Sequence, residues 1–336
     1  MLVRHRAHGH GHRALGLVKR LLALLLLGAA LVAAPAVAQP DLSRRTGTTV
    51  ADTGAPGYRF EQFRLDSADG QRSYRVRVAV PDVPAPAGGF PVAYLLDGNA
   101  ALMETSAAQL EALSRSPHPV MVAYISYDND LRIDADSRAF DYTPRRPGGE
   151  QAQQDAVGGR RNGGGDAFLD LLEGAIVPRV EALAPVDPAR RALWGHSYGG
   201  VLALHALFSR PGAFSVYAAA DPSLWWGNGH LLREEQAAQA WPSPPPRLWL
   251  WTGKGADEGD ARQPPPGRDP AAIAAMRAAR ASVPPDAAAR MAERLRAGGL
   301  PVESDTLPGL SHGQTLGASL PLLLHRLAAA NPERDR

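Results

Sequence analysis

The stretch RALWGHSYGGVLALHAL, Arg191 to Leu207, joins an apolar run to a helix-like one through Gly, His, Ser, Tyr and Gly. G-x-S-x-G at a strand-to-helix junction is a tight turn that lifts the serine oxygen clear of a sheet edge, and glycine is needed on both sides for clearance. The rest of the chain supplies the sheet. PVAYLLDG (Pro91 to Gly98), PVMVAYISYD (Pro119 to Asp128), AFSVYAAADP and RLWLWTG are near-continuous apolar runs, as expected for strands covered on both faces. ALMETSAAQLEAL, AFLDLLEGAIVPRVEALAP, GGVLALHALFS and SLPLLLHRLAAA carry helical spacing between or after them. YRFEQFRL and QRSYRVRVAV flank SADG and alternate apolar with polar residues, which predicts an N-terminal antiparallel hairpin with one wet face. Strand and helix alternation implies right-handed crossovers and an α/β fold with a mostly parallel central sheet and helices on both faces.

A serine hydroxyl is a weak nucleophile without a base. His312 in LPGLSHGQT, after the last strand, fits a Ser, acid, His chain order, with Ser197 as nucleophile. His205, His230 and His325 lie on helices or in an insert and read as packed or solvated; His196, beside the serine, reads as support. The acid is expected after RLWLWTG, where Asp257, Glu258 and Asp260 are candidates, Glu258 ranked first; a Ser-His pair acting without an acid is the alternative. The turn leaves the backbone N-H of Tyr198 at a helix start, aimed at an oxyanion. Trp225 and Trp226 are candidates to stack on ligand rings, with a core position the alternative for one of them.

The ends of the chain set its expected location. MLVRHRAHGHGHRALGLVKR precedes the apolar LLALLLLGAALVAA (Leu21 to Ala34) and AVA before Gln39, the order of a signal peptide over residues 1–38 cleaved near Ala38/Gln39. An uncleaved anchor is the alternative, although the run is short of the ~20 residues a span needs. Without those residues the balance of 36 basic to 34 acidic side chains loses five basic ones and becomes 31 to 34, or −3, which excludes a basic nucleic-acid face. The chain has no Cys, so no disulfide, lipid-bearing Cys or thiolate nucleophile is available. The expectation is a periplasmic or secreted protein with a flexible leader over 39–57, one domain over 58–331 and a tail over 332–336. Asn129 to Asp166 and Gly255 to Asp286 are expected as long lid-like insertions.

AYLLDGNA, RAFDYTP, GHSYGG, DPSLWW and LSHG, in this order along the chain, resemble the esterase D-like family of α/β-hydrolases, and within it the periplasmic enterobactin and salmochelin trilactone esterases. The resemblance runs from about Tyr58 to Ala330. It implies an α/β-hydrolase fold and a serine esterase working through an acyl-enzyme on a small-molecule ester such as a ferric catecholate siderophore, with no cofactor and no metal. It also implies the Asn99 backbone N-H as second oxyanion donor, Gly98 beside it, and Arg138 reaching an anionic or phenolate group of the ligand. A salt bridge from Arg138 to Asp141 is the alternative for that residue. Other substrates remain open: acetylated or feruloylated carbohydrate, small acyl esters, or acyl transfer to a sugar. A catalytically silent hydrolase fold that only binds ligand is the alternative of another class.

Overall fold

The computed structural model describes residues 43–155, 159–238, 240–255 and 270–329. The signal peptide and tail expected above, and Asp257, Glu258 and Asp260, lie outside the described residues.

Eight strands form one sheet in the order β1-β2-β4-β3-β5-β6-β7-β8. β1 (Tyr58–Asp66) and β2 (Ser73–Pro81) make the antiparallel hairpin, and β2 pairs antiparallel with β4 (Met121–Tyr127). β3 (Phe90–Leu95), β4, β5 (Val186–His196), β6 (Val216–Ala220), β7 (Arg247–Lys254) and β8 (Val302–Pro308) run parallel to one another.

Alternation along the strands feeds two cores. Tyr94, Leu193, Tyr217 and Leu250 face one side and pack with the helices Gly165–Leu171, Tyr198–Ser209 and Ala287–Ala297. Leu95, Trp194, Trp249 and Trp251 face the other and pack with Gly98–Met103, Ala107–Ser114 and His312–Ala328. Each fully buried large side chain contributes roughly 1.5–3 kcal/mol of transfer free energy, so β5, apolar on both faces from Ala192 to Trp194, sits rigidly in the sheet centre.

Three details depart from the sequence reading. ALMETSAAQLEAL is two helices rather than one, because Ser106 caps the second: its hydroxyl accepts from the Gln109 N-H while the Gln109 side chain accepts from the Ser106 N-H. The helix Gly165–Leu171 passes through a π-turn, Leu172–Ile176, into Val177–Glu181. The leader expected over 39–57 is docked in its described part: Thr46 donates through N-H and hydroxyl to the Asp130 carbonyl, and Val50 is buried.

Behind the nucleophile helix, His205 is buried between two carboxylates, Nδ1 2.9 Å from Glu234 and Nε2 3.2 Å from Asp166. Burial opposes its charge, but the hydrogen bonds to Asp166 and Glu234 outweigh it and push the imidazole up to about 9. His230 faces the same Glu234 and Arg210 the same Asp166. The stabilisation from protonated His205 is complete below the unfolded pKa near 6.5 and is lost as pH rises through about 9. Urea unfolding from pH 6.5 to 9.5 is expected to show a loss of roughly 3 kcal/mol, and His205→Gln to flatten that slope.

Candidate active site

β5 ends at His196, and Ser197 follows with φ 59 and ψ −113. That positive φ is the strained turn the motif requires. The glycines make it possible: a Cβ on Gly195 would lie 2.2 Å from the carbonyl of Gly199, a distance no real Cβ tolerates. Gly195→Ala is therefore expected to destabilise by about 3 kcal/mol, read by denaturant melting. Gly174→Ala, where nothing lies within 4 Å, is expected to leave stability unchanged or raise it.

Parallel register brings the neighbouring strand ends level with Ser197. His196 pairs with Ala220 of β6, and Ala220 with Trp251 of β7. The residue after β6 is Asp221, in left-handed backbone at φ 45, with its N-H donating to the Trp251 carbonyl at 2.7 Å. Its carboxylate Oδ2 lies 3.1 Å from His312 Nδ1. Gly253 at the end of β7 makes room for this, since a Cβ there would come within 3.3 Å of the same oxygen. With Nδ1 donating to the carboxylate, His312 Nε2 carries a lone pair and is the basic nitrogen.

His312 is the first residue of the last helix, capped by Ser311 and Gln314. Its carbonyl accepts from His196 Nε2 at 2.7 Å and from the Thr315 hydroxyl at 2.7 Å, and the His196 and His312 rings lie 4.7 Å apart. Burial, with the neighbouring His312 adding to it, holds His196 well below the usual histidine range. His196 is thus a neutral N-H donor that fixes the backbone of His312. Ser223, two residues past Asp221, meets Ser197 from the other side: the two hydroxyl oxygens are 3.2 Å apart, and the Ser223 N-H donates to the Ser197 carbonyl. One short turn, Asp221 to Ser223, therefore touches both His312 and Ser197.

Two backbone N-H groups stand at helix starts, free of intrahelical partners. Tyr198 opens the helix Tyr198–Ser209 and Asn99 is second in Gly98–Met103, positions outside the helical i to i−4 ladder. The Asn99 amide Nδ2 donates to the carbonyls of Asn129 and Leu131, tying this turn to the insertion.

The other expected residues divide between packing and the site. Gly98 is packed, not open to ligand: a Cβ would meet the β4 backbone at Tyr124 and Ile125 at 2.5 Å. Trp226 is core, 3% exposed, with Nε1 3.4 Å from Asn162 Oδ1 and the Arg146 guanidinium 5.4 Å from its ring. Trp225 is only partly buried and lies 6.2 Å from the Tyr198 ring, so it remains at the site. Arg138 does not pair with Asp141. Asp141 is held by Arg72 and the hydroxyls of Tyr74 and Tyr127, while Arg138 takes the buried Asp97 in a bidentate pair.

The missed residue is Asp221. Its signal was present in AAADPSLWW, an acid at the carboxyl end of a strand and between Ser197 and His312 in chain order.

A sheet of this order, with a serine raised after its central strand and a histidine and carboxylate converging from neighbouring strand ends, defines an α/β-hydrolase. Residues 67–291 match the family described as Putative esterase, and the chain belongs to it; it is a carboxylic ester hydrolase. It is 39% identical over 226 residues to an apo-salmochelin esterase of Escherichia coli O6:H1, spanning 67% of this chain and 70% of that one. It is 37% identical over 193 residues to a siderophore triacetylfusarinine C esterase of Aspergillus fumigatus, across 55% of this chain and 63% of that one. Among solved structures, the enterobactin hydrolase IroE in complex with DFP superposes with a TM-score of 0.65 at 30% identity, covering 84% of this chain and 99% of that one.

Proposed function

We propose that the protein is a serine esterase that opens the lactone bonds of a catecholate siderophore in the periplasm. The observation that carries the mechanism is the contact between His312 Nδ1 and Asp221, which leaves Nε2 free to take the Ser197 proton. Ser197 Oγ exchanges its Ser223 partner for His312 and attacks the ester carbonyl. The N-H groups of Tyr198 and Asn99 hold the oxyanion. His312 then protonates the leaving alkoxide, and water reverses the sequence through the same groups. Each oxyanion donor is worth ~3 kcal/mol of transition-state stabilisation.

Support for a siderophore substrate comes from the relatives, named for salmochelin, triacetylfusarinine C and enterobactin. Support for export comes from the basic and apolar leader; among the described residues no helix is long and apolar enough to cross a membrane. The test is to incubate the purified protein with ferric and iron-free enterobactin, beside an acetylated and a feruloylated sugar, and to read products by mass. Linear siderophore gaining one water per cleaved bond is the expected result. Cleavage of the sugar esters alone would assign the protein to carbohydrate, and binding without cleavage would make it a silent receptor.

A further inference from the structure

Arg138 stands on the helix Ala135–Asp141, within the long insertion, and its side chain reaches inward. Nε and Nη2 bind the two Asp97 carboxylate oxygens at 2.8 to 3.2 Å, and Nη2 also donates to the His196 carbonyl at 3.1 Å. Asp97 is two residues before Asn99, and His196 is two residues before Tyr198. One guanidinium thus ties equivalent points on the two turns that present the proposed oxyanion donors.

The wedge is closed on its other sides. Asp97 sits in left-handed backbone at φ 51, with its N-H donating to the Tyr142 hydroxyl at 3.1 Å. A Cβ on Gly199, in the nucleophile helix, would lie 3.7 Å from the Asp97 carboxylate. The rings of Tyr198 and Tyr142 lie 5.4 and 5.6 Å from the guanidinium carbon. The charge of Arg138 is already matched by Asp97, with side-chain exposures of only 11% and 3%, so little of it is left to attract a ligand.

We infer that Arg138 is a positioning residue: it sets the separation of the Asn99 and Tyr198 N-H groups and does not itself read the charge of the substrate. The inference rests on the serine-esterase reading of this site. Its physical basis is that oxyanion donors act only when already in place, and a displacement of about 1 Å costs on the order of a hundredfold in rate. A planar fork is needed because Asp97 and His196 must be held together, which the single ammonium of lysine does poorly.

The experiment compares Arg138→Gln, Arg138→Lys and the double variant Asp97→Asn/Arg138→Gln on a neutral ester, p-nitrophenyl acetate, and an anionic one, ferric enterobactin. Arg138→Gln strands a buried carboxylate and is expected to lower the melting temperature; the double variant removes both charges, recovers much of that stability and still lacks the tie. The expected result in the double variant is a fall of about a hundredfold in kcat on both esters, with KM changed less than threefold, and partial rescue in Arg138→Lys relative to Arg138→Gln. A KM rise confined to the anionic ester, with kcat on the neutral ester intact, would overturn the inference in favour of ligand binding; so would a folded double variant with wild-type kcat. Wild-type protein inert to both esters and to a fluorophosphonate would instead remove the esterase reading, and the inference with it.

Discussion

Ser197→Ala is expected to lower ester turnover by about four to six orders of magnitude, with melting temperature unchanged or raised. The serine oxygen is the only atom lost, and its present partner is another hydroxyl, that of Ser223, which water can replace. Relief of side-chain strain is small because the positive φ at residue 197 persists with alanine. His312→Ala is expected to match it, since without the imidazole the serine keeps its proton; residues that act as a unit do not add, so the double variant should be no worse than either single one. Steady-state turnover of a chromogenic ester measures all three. A Ser197→Ala protein retaining more than a hundredth of the activity would show that another nucleophile does the work.

The second large effect belongs to Asp221. Asp221→Ala is expected to reduce kcat by about a thousandfold, because the carboxylate holds the His312 tautomer that places the lone pair at Nε2 and balances the imidazolium formed in the transition state. Asp221 side-chain exposure of 23% lets water compensate in part, so the loss stays below that of Ser197→Ala. Asp221→Asn reverses the hydrogen bond to Nδ1 and should be at least as damaging. The comparison that decides the assignment is Glu258→Ala, with Asp257→Ala and Asp260→Ala beside it. Changes of less than threefold there are expected; a thousandfold loss at Glu258 with Asp221→Ala active would move the acid to the loop after β7.

The contrast between Asp221 and that loop shows what a sequence makes legible. The strands were readable because burial on both faces leaves near-continuous apolar runs, and every such run from PVAYLLDG to RLWLWTG is a strand of the sheet. The nucleophile was readable because its turn needs glycine at fixed offsets. The acid was not, because its position follows from which strand lies beside β5: with β6 adjacent in parallel register, the residue after Ala220 falls level with Ser197. Lateral strand order is a long-range property that local pattern does not carry.

The same limit explains Arg138 and the leader. RAFDYTP marks a short helix, yet the choice of Asp97 over Asp141 as partner of Arg138 depends on packing between segments 41 residues apart. Residues 43–57 are polar and turn-rich, which reads as flexible, but Thr46 finds its partner at Asp130. For the aromatic pair, Trp226 and Trp225 are neighbours in sequence and only their orientation on the turn after β6 makes one core and leaves the other beside Tyr198.

The central claim is that Ser197 is acylated by a siderophore lactone, and it can be read directly. A lactone opened by a nucleophile loses no fragment, so the acyl-enzyme should gain the full mass of one trilactone. Acid quenching of the protein after brief mixing with enterobactin, followed by peptide mass mapping, is expected to place that gain on the peptide holding Ser197, and Ser197→Ala protein should show none. Hydrolysis proceeding with the added mass on a different residue, or equally in the Ser197→Ala protein, would contradict the account.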